Sequence, residues 1–142
     1  MEYTNIKLEK ENRVATIRLN RPDALNALNP ELIAELADAV ADVGADGSIK
    51  ALVIRGEGRA FCAGADLKER RTMSQPQVVQ FLNDLRSAFT ALERLPIPSI
   101  AALDGLAMGG GMELALCADL RVASEGVKGL GLTETKLGII PG

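Results

Sequence analysis

Three segments of this chain combine residue types that could do chemistry together. In Gly109-Gly-Gly-Met-Glu113, three consecutive glycines open a helix-forming run with a carboxylate in its first turn. Glycines in series cost backbone entropy, so a fold keeps them where a side chain would be in the way. Free N–H groups at a helix start, aimed at a spot without side chains, suit an anion or a developing oxyanion. Glu113, one turn on, could move a proton at that spot. The second segment, Ala60-Phe-Cys-Ala-Gly-Ala-Asp-Leu67, is a loop after a strand whose backbone N–H groups could point outward. The third, Leu132-Thr-Glu-Thr-Lys-Leu-Gly138, places Glu134 at a strand-to-helix junction. Two backbone donors from different loops would polarise one carbonyl oxygen, and two glutamates would hold and split one water.

Each feature also has a purely structural account. Gly64 and Gly109 to Gly111 can serve tight turns or close helix packing. Glu113 can simply favour its helix dipole, worth a few tenths to about one kcal/mol. Glu134 can be a solvated acid, Asp66 and Asp119 can be caps or turn residues, and Lys68 to Arg71 can be a solvated run. Spacing alone does not choose between the two accounts.

The chain contains no histidine, which excludes Ser-His-Asp and Cys-His machinery and histidine-based metal sites. Cys62 and Cys117 stand in apolar surroundings and read as small buried hydrophobes. No Gly-x-x-x-x-Gly-Lys-Ser/Thr occurs, and Gly56-Glu-Gly58 lacks the third glycine of a dinucleotide fingerprint. Any acid–base catalysis here must rest on carboxylates, Lys, Tyr3 or Cys.

The elements that would position these groups follow from periodicity. Residues 3–10 and 13–19 alternate apolar and polar around Glu11-Asn12 and read as a β-hairpin. Asn20 to Asp23 is a turn. Pro30 opens a helix from Glu31 to about Val43, with Leu32, Ile33, Leu36, Ala39, Val40 and Val43 on one stripe and Gly44 and Gly47 as its stop. Ala51 to Ile54 reads as a strand covered on both faces. Residues 76–94 form a second amphipathic helix, with Val78, Phe81, Leu82, Leu85, Phe89 and Leu92 as its apolar face. Pro96 and Pro98 stop it. Ser99 to Leu103 is a buried strand, Met112 to Cys117 is helical, Leu120 to Ala123 is a strand, and Gly129 to Leu132 is a candidate for one more. The order, a hairpin followed by αβ units in series, implies an α/β fold with crossover connections. No repeat or linker stands out in the sequence.

The 142 residues suffice for one modest domain, and 47% apolar with 25% charged residues is ordinary for a globular protein. A net charge of −3 gives no general attraction to nucleic acid or an anionic membrane. No apolar run is long enough to span a bilayer. Residues 1–7 lack the layout of a signal or transit peptide. The expectation is a cytoplasmic protein, or a mitochondrial-matrix one numbered without its leader.

The loop at 60–67 and the long segment from Pro98 through the three glycines to Cys117-Ala-Asp-Leu-Arg121 together resemble the enoyl-CoA hydratase/isomerase (crotonase) family. The resemblance continues through Glu134-Thr-Lys-Leu-Gly-Ile-Ile-Pro-Gly142. Phe61-Cys-Ala-Gly-Ala-Asp-Leu-Lys-Glu-Arg70 and Glu134 to Pro141 look most like the methylglutaconyl-CoA hydratase branch, whose animal members also bind AU-rich RNA.

The resemblance implies a spiral of repeated ββα units. It implies an oxyanion hole for a thioester carbonyl, made by the N–H groups of Ala65 and Gly110. It makes Glu113 and Glu134 the catalytic pair that adds water across the α,β double bond of an enoyl-CoA. Ala24, Leu25, Ala63, Asp66, Leu67, Lys68 and Gly109 match substrate-binding positions, and acyl selectivity would fall along residues 72–85. No cofactor is implied beyond the coenzyme A carried by the substrate. Isomerases and several relatives of the family keep one of the two glutamates, so the pair favours a hydratase.

The chain is little more than half of a usual family member. The expectation is therefore an N-terminal portion, residues 1–142, of a spiral incomplete at its C-terminus. The helices that build a trimer, or a dimer of trimers, would be absent. Gly138 to Gly142 reads as a turn that should lead onward. The competing class is RNA binding, carried in such relatives by a lysine-studded first helix. Residues 30–49 here contain Glu31, Glu35, Asp38, Asp42 and Asp46 and no Lys or Arg, which argues against phosphate contacts. An inactive assembly fragment is a third reading.

Overall fold

The computed structural model describes residues 3–141. Met1, Glu2 and Gly142, which belong to the N-terminal reading and to the Gly138–Gly142 turn, lie outside the described residues. The chain opens with strands β1 (Ile6–Glu11) and β2 (Val14–Leu19), paired antiparallel. The turn between them is Asn12-Arg13 rather than Glu11-Asn12. Both residues have positive φ, 51° and 67°, the twist that a two-residue hairpin loop requires.

Helix α1 (Pro30–Ala45) starts as expected, with Pro30 in its first turn and the Asn29 side chain accepting from Leu32 N–H. All six residues of the predicted stripe are buried. Gly44, read as part of the stop, lies inside the helix, and Asp46 takes the C-cap. Strands β3 (Ala51–Gly56) and β4 (Ala60–Cys62) follow, then the short helix α2 (Leu67–Arg70) and the long helix α3 (Gln75–Glu93). Phe61 and Cys62 were expected in a loop; both are fully buried in β4, a strand too short to show a period. Of the α3 face, Phe81, Leu85, Phe89 and Leu92 are buried, while Val78 and Leu82 are only partly so.

Strands β5 (Ser99–Leu103) and β6 (Leu106–Met108) lead into α4 (Gly110–Cys117), then β7 (Leu120–Ala123) and β8 (Leu130–Gly131). A 3-10 turn over Thr133–Leu137 carries Glu134 in its first turn. β6 was not foreseen as separate from β5.

The strands sort into two sheets. The larger has the order β1-β2-β3-β5-β7, parallel from β2 onward. The smaller has the order β4-β6-β8, also parallel. The chain thus lays one strand in the first sheet, the next in the second, crosses over, and repeats: β3 then β4, β5 then β6, β7 then β8. This is the spiral of ββα units expected of the chain, although no repeat was visible in the residues. The core lies between the larger sheet and α1 and α3, with Ile17, Leu52, Ile54 and Ala101 meeting Leu32, Leu36, Val40 and Leu92 in one buried cluster. β7 forms as expected but as an exposed edge: Leu120 is 58% and Val122 is 62% exposed.

Candidate active site

The smaller sheet delivers two loop ends to one place. β4 ends at Cys62 and hands the chain to Ala63-Gly64-Ala65; β6 ends at Met108 and hands it to Gly109-Gly110. The first loop rests on residues 25–28. Ala63 N–H donates to Leu25 O at 3.0 Å, Leu28 N–H to Gly64 O at 2.8 Å, and Asp66 N–H to Leu28 O at 2.9 Å. This is a single parallel bridge between Leu28 and Ala65. Such a bridge uses the groups flanking Ala65 and turns its own N–H to the opposite side. Neither Ala65 N–H nor Gly110 N–H donates to another group among the described residues.

The two backbone nitrogens border the same space. Gly110 is the first residue of α4, so its N–H is unclaimed by the helix. A carbon at the Cβ position of Gly110 would lie 3.9 Å from Ala65 N and 3.6 Å from Glu113 Oε2. Two free donors and a carboxylate oxygen therefore border the space that a side chain there would fill. Gly109 has φ +52°, a conformation that favours glycine. A Cβ on it would fall 2.9 Å from Glu134 Oε1. Glu134 Oε2 is buried with no hydrogen-bond partner among the described residues. A buried carboxylate oxygen without a partner is costly, and such sites are kept where function uses them.

Gly111 answers to packing instead. Its Cβ position is 2.1 Å from the Cys62 carbonyl oxygen, so the start of α4 lies directly on β4. The three consecutive glycines thus have separate duties: room for Glu134, room between two donors and Glu113, and helix-on-strand contact.

A cavity of about 300 Å³ opens beside these groups. Ala63, Gly64, Ala65, Gly109, Gly110, Glu113 and Glu134 line it, with Leu28, Leu67, Phe81, Leu82 and Leu85 as apolar wall and Thr133, Ile139 and Ile140 beyond. Leu82, only partly buried, lines this cavity. The wall residues of α3 fall in the 72–85 span expected to set acyl selectivity.

Other predicted residues stand elsewhere. Ala24, Leu25, Asp66 and Lys68 do not line the cavity. Leu25 supports the loop through its carbonyl. Lys68 is exposed. Asp66 caps α2, accepting from Lys68 N–H at 3.1 Å and Glu69 N–H at 3.3 Å, and pairs with Arg21 at 3.0 Å. Burial raises its pKa, but the Arg21 guanidinium and the capping N–H groups outweigh burial and hold its carboxyl below the usual range. The structural account weighed for Asp66 is the one its contacts match. Asp119 likewise ties Ser99 N–H and Oγ at the start of β5.

Three contributors escaped the sequence reading. Asn26 is fully buried; its amide donates to Glu57 O and Ala60 O, and its oxygen accepts from Arg21 N–H. It pins the 25–28 rail to β4. Leu28 holds Ala65 and also forms cavity wall. Arg70, read within a solvated run, lines the cavity. Burial pushes the Cys62 thiol up to about 12 and that of Cys117 up to about 11, which disfavours the thiolate at neutral pH.

Among the described residues, no helix is long and apolar enough to cross a membrane, and no cluster of side chains could hold a metal ion. The arrangement can polarise a carbonyl oxygen with two backbone donors while presenting two carboxylates beside it.

Comparison with known proteins agrees in fold and sequence. A family model described as Enoyl-CoA hydratase/isomerase matches residues 9–142. The methylglutaconyl-CoA hydratase, mitochondrial, of Mus musculus is 47% identical over 137 residues, covering 95% of this chain and 43% of that protein. An enoyl-CoA isomerase/hydratase of Mycosarcoma maydis is 46% identical over 132 residues, 87% of this chain and 48% of that protein. The crystal structure of an enoyl-CoA hydratase from Bacillus anthracis superposes with a TM-score of 0.93 at 42% identity, covering 98% of this chain and 54% of that one. The chain spans about half the length of the relatives it matches.

Proposed function

The chain belongs to the enoyl-CoA hydratase/isomerase family, and we propose that it carries the acid–base and thioester-activating centre of an enoyl-CoA hydratase. The reaction is syn addition of water across the α,β double bond of an enoyl-CoA thioester. The observation that carries this reading is convergence: two unclaimed N–H groups, from Ala65 and Gly110, and two carboxylates, Glu113 and Glu134, meet around Gly109-Gly110.

In this reading the thioester oxygen accepts from Ala65 N–H and Gly110 N–H. One glutamate takes a proton from water as the water oxygen bonds to Cβ. The C=C electron pair moves toward the thioester, and the resulting enolate oxygen is held by the two donors. The other glutamate gives its proton to Cα. Removing one such donor typically costs about 10²–10³ in rate. The start of α4 adds a favourable field at the oxygen. Two glutamates favour hydration over isomerisation, in which a single carboxylate can shuttle the proton.

The test is loss of enoyl-thioester absorbance with crotonyl-CoA and with 3-methylglutaconyl-CoA, the second chosen because relatives at about half identity bear that name. In deuterium oxide, one deuteron should appear at Cα on the same face as the new hydroxyl. Movement of the double bond without water uptake would establish an isomerase instead.

A further inference from the structure

We propose that Arg21 is a positioning residue for the oxyanion hole, holding Ala65 N–H in place by clasping the chain on both sides of the Leu28–Ala65 bridge. The proposal rests on the reading of Ala65 and Gly110 as the donors to a thioester oxygen. The two donors are anchored differently. Gly110 opens α4 directly behind β6, so regular structure fixes it from both sides. Ala65 belongs to neither sheet, and its strand-like pairing is the isolated bridge to Leu28. Gly64 before it has φ +93°, so no β-carbon stiffens the turn into Ala65.

Arg21 supplies that stiffness from outside the bridge. Nη1 of its guanidinium donates to the carbonyl of Ala27, the residue before Leu28. Nη2 donates to the carboxylate of Asp66, the residue after Ala65, at 3.0 Å. The planar fork thus ties rail to loop, with its two donors held at a fixed angle. The side chains of Arg21 and Asp66 are only 20% and 14% exposed, so little water competes for the contact. Such charge-assisted bonds are about twice as strong as neutral ones. Arg21 is itself held. Its N–H donates to Asn26 Oδ1, and its carbonyl accepts from the N–H groups of Ala24 and Asn26. Asn26, fully buried, donates in turn to Ala60 O at the start of β4. The contacts therefore run from β4 through Asn26 and Arg21 back to the loop that β4 delivers. Arg21 does not line the cavity, so it acts through Ala65 and not on the substrate.

The test reads the bound carbonyl directly, by difference infrared spectroscopy of butyryl-CoA isotope-labelled at its thioester carbonyl carbon. This ligand has no double bond to hydrate, and its carbonyl stretch falls in frequency as the oxygen is polarised. On the unaltered protein the band should lie below its solution frequency. Arg21→Met should move it back toward the solution value. The same variant should lower kcat for crotonyl-CoA by about 10–100-fold, the scale of an ångström-sized misplacement, with KM changed by less than about threefold. Arg21→Lys keeps the charge beside Asp66 but not the fork, and should recover part of both. Asp66→Asn keeps a cap but not the charge pair, and should move the band in the same direction as Arg21→Met. Arg21→Lys and Asp66→Asn carry the readout if Arg21→Met does not fold. Because the two side chains act through one contact, the Arg21→Met/Asp66→Asn double variant should lose no more than Arg21→Met alone. A band unmoved by these substitutions, or losses that multiply in the double variant, would overturn the proposal and leave the oxyanion hole standing. No shift on the unaltered protein would overturn both. If hydration of crotonyl-CoA fails while the Arg21-dependent shift holds, the hydratase reading alone falls.

Discussion

The carboxylate of Glu134 lies against the backbone of Gly109, so close that a Cβ there would come within 2.9 Å of Oε1 and 3.7 Å of Cδ. The first of the three glycines and the acid of the last turn are thus fitted to one another across 25 residues of sequence. Gly109→Ala should push Glu134 away from the two donors, and it also forces a side chain into φ +52°. Hydration should fall by about 10²-fold, the scale of an ångström-sized misplacement. The strain should lower stability by about 1–3 kcal/mol. Steady-state kinetics and urea unfolding on the same variant separate the two effects.

Asp66 offers a prediction with a sign in pH. Its carboxyl caps α2 and pairs with Arg21, and its folded pKa lies below the ordinary value. A lowered folded pKa stabilises above the unfolded value of about 3.9 and loses that contribution as pH falls through the folded one. Asp66→Ala should therefore cost stability at pH 7, by about 0.5–2 kcal/mol for a lost cap. The gap between the two proteins should narrow as pH falls below about 4. Urea midpoints measured from pH 7 down to pH 3 check this.

Gly111 is the glycine whose replacement should damage folding first. A Cβ would sit 2.1 Å from the Cys62 carbonyl oxygen and 2.7 Å from its carbon, and backbone cannot swing aside as a side chain can. Gly111→Ala should destabilise by about 1–3 kcal/mol or more, as overpacked cores do. A thermal melt of this variant beside Gly109→Ala should show the larger loss at Gly111.

Much of this architecture was legible in the residues, because long periodic segments announce themselves. The six-residue stripe of α1 and the main apolar residues of α3 repeat at helical spacing. The three glycines and Glu113 marked the site because their chemistry is local. What stayed hidden was short or tertiary. β4 and β6 have three residues each, too few for a period, and they build the second sheet that aims both loops. Asn26 ties nearby Arg21 to carbonyls more than thirty residues away, at Glu57 and Ala60. Arg70 belongs to a charged run and stays exposed, yet it lines the cavity, a placement that only the tertiary fold sets. Asp66 shows the opposite case: a position matched to substrate binding by resemblance, whose contacts here are those of a cap.

The central claim is that Glu113 and Glu134 act together on one thioester, and the direct measurement is hydration kinetics of Glu113→Gln and Glu134→Gln. Each change keeps the shape of the side chain and removes its proton exchange. Each should lower hydration of crotonyl-CoA or 3-methylglutaconyl-CoA by about 10²–10⁴, the range for acid–base groups, with thioester binding retained. Near-normal hydration by either variant would contradict the account.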